Sequence, residues 1–205
     1  MIISPRNYVF FTIDKQFSDH LFGPSGMKFH LVLGGTPGQE LLHVREYGKV
    51  VSVPRSLSPE LKTKMNLQVG DKIYFHFHTV SEENRYEVNG QRVYKVHYSE
   101  VYCAIRDEQI IMLNDYVLCE PVMETEEDIK TPAGIYLKSA PEPIPLRASV
   151  THLNEPVDGS SSELKAGDHI YYDTHSDVPI TIEGHAYYRM RKQDILAKYT
   201  STLTP

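Results

Sequence analysis

Residues whose types and spacing could support chemistry are few in this chain. His76 and His78 lie two positions apart, so in a strand both would face the same side and could bind a metal ion. A third ligand is not evident near them, which favours packed or solvated histidines over a metal site. The sequence also lacks a nucleophile elbow, a phosphate-binding glycine loop, a paired-cysteine zinc pattern and an HExxH motif. It therefore predicts no catalytic centre, no metal and no cofactor.

Charge and hydrophobicity change abruptly between residues 124 and 137. Residues 124–128 (ETEED) are polar and charged, which predicts a solvated segment that stays mobile when free, rather than a cation site. After the next Pro-Ala-Gly comes an apolar run, Ile135, Tyr136 and Leu137. On base rates such a run is most often an ordinary edge strand. The residues alone assign this segment no function.

Length and composition narrow the class of protein. The chain has 205 residues, 40% hydrophobic and 23% charged, which is typical of a globular protein with one or two cores. Its net charge of −6 offers no attraction to nucleic acid or to an anionic membrane. No apolar run is long enough to span a bilayer, and the N-terminus lacks the features of a signal peptide. Cys103 and Cys119 lie in apolar runs, which indicates reduced core thiols and a cytoplasmic location rather than a disulfide.

The local pattern is that of β-structure. Short runs of β-branched and aromatic residues recur, separated by Gly, Pro, Asn and Asp. Helical periodicity is hard to find outside residues 58–65, which could form one short helical turn. The runs that predict strands are residues 8–13, 49–53, 72–78, 116–120 and 169–173. The sequence therefore predicts an all-β fold.

An internal repeat is the most informative feature of the sequence. Residues 67–75 (LQVGDKIYF) reappear as residues 164–172 (LKAGDHIYY). Four further matches keep the same order: residues 7–10 with 115–118, 86–90 with 180–184, 94–96 with 188–190, and 100–102 with 194–196. The repeat predicts two tandem small antiparallel β-barrels, residues 1–107 and 108–205. We place their boundary in the charged residues 106–109.

Glycines mark the turns of both copies. Asn89-Gly90 is a strong signal for a two-residue type I′ hairpin, which needs positive φ at both positions. Glu183-Gly184 occupies the same place in the second copy and suits the turn less well. Each copy also has a glycine before its repeated aspartate, which lets a polar turn lead into an apolar strand.

Along nearly its whole length the second copy resembles the ten-kilodalton co-chaperonins, the GroES family. That family opens with a strand, continues through a long mobile loop with an apolar tripeptide, passes a Val-Gly-Asp turn, and ends in a segment like Glu-x-Asp-Ile-Leu-Ala. The matching places here are residues 115–120, 132–137, 166–168 and 191–197. The resemblance implies two tandem GroES-like domains, the second of which has a mobile loop, and no enzyme activity.

The resemblance also implies where the chain would bind its partner. In the family the loop tripeptide docks into an apolar groove of a GroEL-like chaperonin ring in its ATP-bound state, and the co-chaperonin caps the folding chamber. By position the docking residues are Gly134, Ile135, Tyr136 and Leu137. Tyr136 is bulkier than the valine usual in the family, so the groove could differ.

The first copy is more remote from the family. Leu31, Val32 and Leu33 could stand for a second docking tripeptide, although Phe29 and His30 replace the expected glycines before it. Its loop is therefore either lost or adapted to a different surface.

The family's lids are seven-fold rings of single units, so the resemblance implies a homo-oligomeric ring. Seven is an odd number, so chains with two units each cannot occupy all seven positions of such a ring in pairs. Either one copy alone forms the ring, or the ring holds an even number of units, or some loops stay unused.

Two other functions remain as alternatives. The chain could be an interaction or structural module that keeps the barrel without binding a chaperonin. Medium-chain alcohol dehydrogenases also contain a GroES-like domain, but that enzyme class needs a dinucleotide-binding half with its glycine fingerprint, which this sequence lacks. We therefore expect a co-chaperonin.

Overall fold

A computed structural model describes most of the chain, in two compact units that comprise residues 1–114 and 115–205. Its regular structure is β-strand with a few short 3-10 turns, one of them at Pro59–Leu61, within the segment expected to form a helical turn. No helix of the described part is long and apolar enough to cross a membrane. The all-β prediction is confirmed. The described residues are 4–13, 20–22, 28–30, 47–61, 63–76, 79–124, 128–130, 136–138, 142–154 and 163–199.

The first unit contains a seven-stranded antiparallel sheet and a separate two-stranded hairpin. In chain order its strands are β1 (Tyr8–Thr12), β2 (His20–Phe22), β3 (Lys28–His30), β4 (Tyr47–Ser52), β5 (Lys72–Phe75), β6 (Arg85–Val88), β7 (Gln91–His97), β8 (Val101–Arg106) and β9 (Gln109–Met112). The sheet order is β6-β7-β1-β4-β5-β8-β9, and β2 pairs with β3. Buried side chains of the five central strands meet in one core, as they do in a small barrel.

The second unit repeats this plan with six strands and another separate hairpin. Its strands are β10 (Tyr116–Met123), β11 (Asp128–Lys130), β12 (Tyr136–Lys138), β13 (Pro143–Leu153), β14 (His169–Tyr172), β15 (Val178–Ile182), β16 (His185–Arg191) and β17 (Ile195–Tyr199). The sheet order is β15-β16-β10-β13-β14-β17, and β11 pairs with β12.

The two units use the same strand register at matched positions. Tyr94 of β7 lies opposite Phe11 of β1, and Tyr188 of β16 lies opposite Cys119 of β10. These pairs agree with the sequence match between residues 94–96 and 188–190. The structure therefore confirms two tandem copies of one β-fold.

The repeated Gly-Asp turn has the same hydrogen bonds in both copies. In the first, the N–H of Gly70 donates to the carbonyl of Val50 at 2.9 Å; in the second, Gly167 donates to Val150 at 2.7 Å. Both glycines have positive φ, 100° and 90°, which explains why glycine stands there. The aspartate of each turn then anchors it, as described below.

The two compact units divide between Asn114 and Asp115, seven residues after the boundary predicted between residues 107 and 108. Asp107 and Glu108 form a tight turn that joins β8 to β9, with Arg106 paired to Gln109. The first unit therefore extends to Asn114, whose side-chain amide donates to carbonyls of that unit. The charged stretch after β8 is typical of a boundary, but here it forms a hairpin turn. Asp107 and Glu108 both have positive φ, and neither is the glycine that usually signals such a turn in a sequence.

This turn supports a stability prediction. Glu108 has a φ of 64°, a conformation that is strained for a residue with a side chain. We expect Glu108→Gly to raise the free energy of unfolding by about 1 kcal/mol, because glycine adopts that φ without strain. Thermal and denaturant unfolding would measure the change. Gln109→Gly, on the adjacent strand residue, is the matched control and should destabilise; a loss of stability in both variants would contradict the argument.

Candidate docking site

The predicted docking residues fall on the hairpin β11–β12. Its backbone pairs are Asp128 with Lys138, Ile129 with Leu137, and Lys130 with Tyr136. Tyr136 and Leu137 thus occupy adjacent positions of β12, opposite β11. Gly134 and Ile135 lie outside the described residues, as do residues 125–127 of the polar segment expected to be mobile.

The hairpin emerges from the longest strand pair of the second unit. At its base Met123 of β10 is paired with Pro143 of β13, and the N–H of Glu124 donates to the carbonyl of Glu142 at 2.8 Å. The register is irregular between Pro121 and Met123. In the first unit the described part of the corresponding pairing, between β1 and β4, reaches Thr12 and Lys49.

Two apolar side chains are exposed near the base of this hairpin and were missed from the sequence. Met123 is 44% exposed and Leu146 is 39% exposed. Leu146 also has a φ of 58°, which a leucine adopts only under strain. The two prolines of Pro-Ile-Pro-Leu, residues 143–146, are the one sequence signal of this irregular strand. The two side chains belong to β10 and β13, the strands between which the hairpin lies along the chain.

The turn at the other end of β13 is held by charge. Asp168 accepts a hydrogen bond from the N–H of Lys165 at 2.8 Å and pairs with the Lys198 ammonium at 2.9 Å. The Lys198 ammonium holds the pKa of the Asp168 carboxyl below its usual value. The N–H of Val150 donates to the carbonyl of Asp168 at 2.9 Å. This anchor fixes β13 and therefore the strand from which the hairpin emerges.

The two cysteines are buried and free. Burial raises the pKa of the Cys103 thiol and of the Cys119 thiol to about 12. Both are therefore neutral thiols near neutral pH and weak nucleophiles. Among the residues that the structure describes, no three His, Cys, Asp or Glu side chains are grouped to bind a metal ion; His78 lies outside them.

In the first unit the hairpin β2–β3 stands at the matching point of the chain, between β1 and β4. The predicted second tripeptide, Leu31, Val32 and Leu33, follows β3 and lies outside the described residues.

The sequence of the second unit, including the hairpin β11–β12, is similar to that of known proteins. A family model described as Chaperonin 10 Kd subunit matches residues 109–199. A co-chaperonin GroES of Porphyromonas gingivalis is 33% identical over 85 residues, which cover 42% of this chain and 92% of that protein. A co-chaperonin GroES of Thermotoga maritima is 29% identical over 90 residues, which cover 44% of this chain and 95% of that protein. A third, from Fervidobacterium nodosum, is 32% identical over 87 residues, covering 42% and 91%.

Proposed function

Because the chain belongs to the Chaperonin 10 Kd subunit family and is thus a co-chaperonin, we propose that it caps a GroEL-like, ATP-bound chaperonin ring through Gly134, Ile135, Tyr136 and Leu137. The observation that supports this most is the place of Tyr136 and Leu137 on a hairpin that leaves the second unit between β10 and β13. The proposal assigns the chain no reaction and no cofactor.

The energetics favour many weak contacts over one strong one. Burial of three apolar side chains contributes roughly 1.5–3 kcal/mol each. Ordering of the segment before them costs roughly 1–2 kcal/mol per residue in backbone entropy. These magnitudes nearly cancel, so a single hairpin binds weakly. Several hairpins on one assembly bind well, because the first contact raises the effective concentration of the others.

A homo-oligomeric ring is therefore part of the proposal. Ring closure pairs sheet edges that an isolated unit leaves open, which is a further reason for self-association. We assign the ring to the second unit, because it carries the family match. The location we propose is cytoplasmic, and the two free buried thiols are suited to a reducing compartment.

The direct test is the double variant Ile135→Ser with Leu137→Ser in the full chain. We expect ATP-dependent binding to immobilised GroEL-type rings to weaken by about a hundredfold or more, since two apolar contacts are lost. The circular dichroism and thermal unfolding of the variant should match those of the wild type. Its matched control is Leu31→Ser with Leu33→Ser, which we expect to affect binding less.

Three results would count against this proposal. Intact binding in the Ile135/Leu137 variant, combined with loss in the Leu31/Leu33 variant, would move the docking function to the first unit. Intact binding in both variants would mean that neither tripeptide carries the docking function. A wild-type chain that never binds a chaperonin would favour an interaction module that keeps the fold.

A further inference from the structure

The two main sheets end differently at matched strands. In the first sheet β8 is followed by β9, which pairs with it over residues 103–106 and 109–112. In the second sheet β17 is the last strand, and the described part of the chain places no strand beyond it. β8 and β17 are the same strand of the repeat, because β8 on β5 and β17 on β14 have the same register with an irregularity at the same place. The edge that β9 covers in the first unit is therefore open in the second.

The burial of the two strands reflects this difference. Tyr102 of β8 is 2% exposed, whereas Leu196 at the matching position of β17 is 67% exposed. The first four residues of β8 are all buried, and the three middle residues of β17 are all exposed. Ile111 of β9 also packs against the core of the first unit. β9 thus supplies the first unit with apolar cover that β17 lacks.

The sequence contains a second segment that resembles β9. The repeat matches residues 7–10 with 115–118, and the same offset matches residues 1–4 (MIIS) with residues 109–112 (QIIM). Ile2 and Ile3 therefore correspond to Ile110 and Ile111. Residues 1–3 lie outside the described residues. By sequence they are the segment of this chain that best suits an edge built like β8.

We propose that residues 1–3 of one chain pair with β17 of a second copy of this chain, as β9 pairs with β8 within the first unit. Because β9 covers β8 in the same chain, each chain makes one of its two edge contacts internally and offers a single accepting edge, on the second unit. The inference rests on the proposed function for the ring that these contacts would build. Its test needs no chaperonin, so the two can fail separately.

Lys198 is the feature of β17 that speaks against pairing, since lysine on an edge strand commonly discourages it. Its ammonium, however, is bound within its own unit, to Oδ2 of Asp168 at 2.9 Å and to the carbonyl of Glu163 at 3.1 Å. The exposed residues beside it, Leu196 and Ala197, are apolar. Such an edge gains more from isoleucine side chains than from a polar segment.

The first test is the mass of the full chain in sedimentation velocity over a concentration series, without a chaperonin. We expect assemblies heavier than one chain. Ile2→Asp with Ile3→Asp should raise the concentration at which they dissociate by about tenfold or more, since two apolar contacts are lost. Ile2→Val with Ile3→Val is the matched control and should assemble as the wild type does. A wild type that stays monomeric, or an aspartate variant that assembles normally, would overturn the inference.

A disulfide test identifies the segment that occupies β17. The pair Ile105 with Ile110 in the first unit corresponds to Tyr199 with Ile2. Oxidation of Ile2→Cys with Tyr199→Cys should therefore link chains into a ladder of multimers. Ile2→Cys with Val178→Cys, on the opposite edge strand β15, is the matched control and should give no ladder. The two native thiols are buried and should not react.

The other outcomes each contradict the proposal in a different way. A disulfide within one chain would mean that the chain closes on itself. A ladder from Ile110→Cys with Tyr199→Cys, and none from the Ile2 pair, would make β9 the occupant by exchange between chains. An equal ladder from the Val178 control would show unspecific linking. If a cysteine variant fails to fold, the mass of the wild type and of the aspartate variant still decides.

Failure of this inference differs from failure of the proposed function. A chain that binds GroEL-type rings but stays monomeric by itself would overturn the pairing on β17 and leave docking in place. A chain that assembles through residues 1–3 but binds no chaperonin would do the reverse.

Discussion

Gly48→Ala is expected to destabilise the first unit by about 3 kcal/mol, the upper part of the range for overpacked cores. A Cβ on Gly48 would collide with the ring of Phe11 and would lie 2.7 Å from the carbonyl oxygen of Thr12. Phe11 is fully buried, and its ring centroid lies 4.4 Å from that of Phe75 and 5.8 Å from that of Tyr94. The ring therefore has no space into which to move. Denaturant unfolding with hydrogen exchange resolved to β1 and β4 would measure the loss.

The second unit supplies the matched control for this prediction. By strand register, Cys119 of β10 corresponds to Phe11, and Ala148 of β13 corresponds to Gly48. Compared with the first unit, the second therefore has a smaller side chain at one position and a larger one at the other. Phe11→Cys alone should cost about 3 kcal/mol through the cavity that it leaves. Combined with Gly48→Ala, it should cost much less than the sum, because the two residues share one space. Ala148→Gly should cost only about 1 kcal/mol.

Two outcomes would contradict this account of the core. One is a Gly48→Ala variant within about 0.5 kcal/mol of the wild type, the range of an ordinary surface change. The other is strict additivity in the double variant.

Asp71→Asn is expected to destabilise the first unit by about 2–3 kcal/mol, because it removes a buried carboxylate that pairs with Arg106 and leaves the guanidinium only the carbonyl of Asn66, at 3.2 Å. Arg106 donates from Nε to Oδ1 at 2.9 Å and from Nη2 to Oδ2 at 2.7 Å, and the Asp71 side chain is only 4% exposed. Asparagine keeps an oxygen that can accept the N–H of Gln68, now 2.8 Å away. The substitution therefore removes mainly the ion pair.

Asp168→Asn is the same substitution in the second copy and should cost no more than about 1 kcal/mol. Here the carboxylate is 20% exposed and the Lys198 ammonium 49% exposed, so water competes with the pair. The pKa of Asp168 is lowered by Lys198, so the pair's contribution is complete above the ordinary aspartate pKa and is lost as pH falls through the lowered value. The stabilities of Asp168→Asn and wild type should therefore converge in acid.

Chemical denaturation of the four proteins, wild type, each single variant and the double variant, at several pH values would check this pair of predictions. Equal losses from Asp71→Asn and Asp168→Asn at neutral pH would show that burial does not govern the strength of the ion pair.

Local sequence signals located the elements of the candidate docking site but not their pairing. The apolar run of Tyr136 and Leu137 indicated a strand, and the structure has β12 there. The exposed residues Met123 and Leu146 could not be found in this way, because their exposure depends on an irregular pairing of two strands distant in sequence. The partner of β12 likewise could not be predicted from alternation, since three-residue strands carry too little pattern.

The all-β class and the glycine turns were determined by the sequence itself, because each depends on residues within a few positions of one another. The repeat was visible as well, because it needs only the comparison of one stretch of the sequence with another. Glu183-Gly184 forms its two-residue turn with positive φ at both residues, as its place in the repeat predicts. Three features were decided only by the tertiary structure: the end of the first unit, the close packing of Phe11 against Gly48, and the Asp71–Arg106 ion pair. Asp71 and Arg106 lie 35 residues apart, and no local rule connects them. Packing and buried charge depend on which strands become neighbours, and that is a property of the folded sheet as a whole.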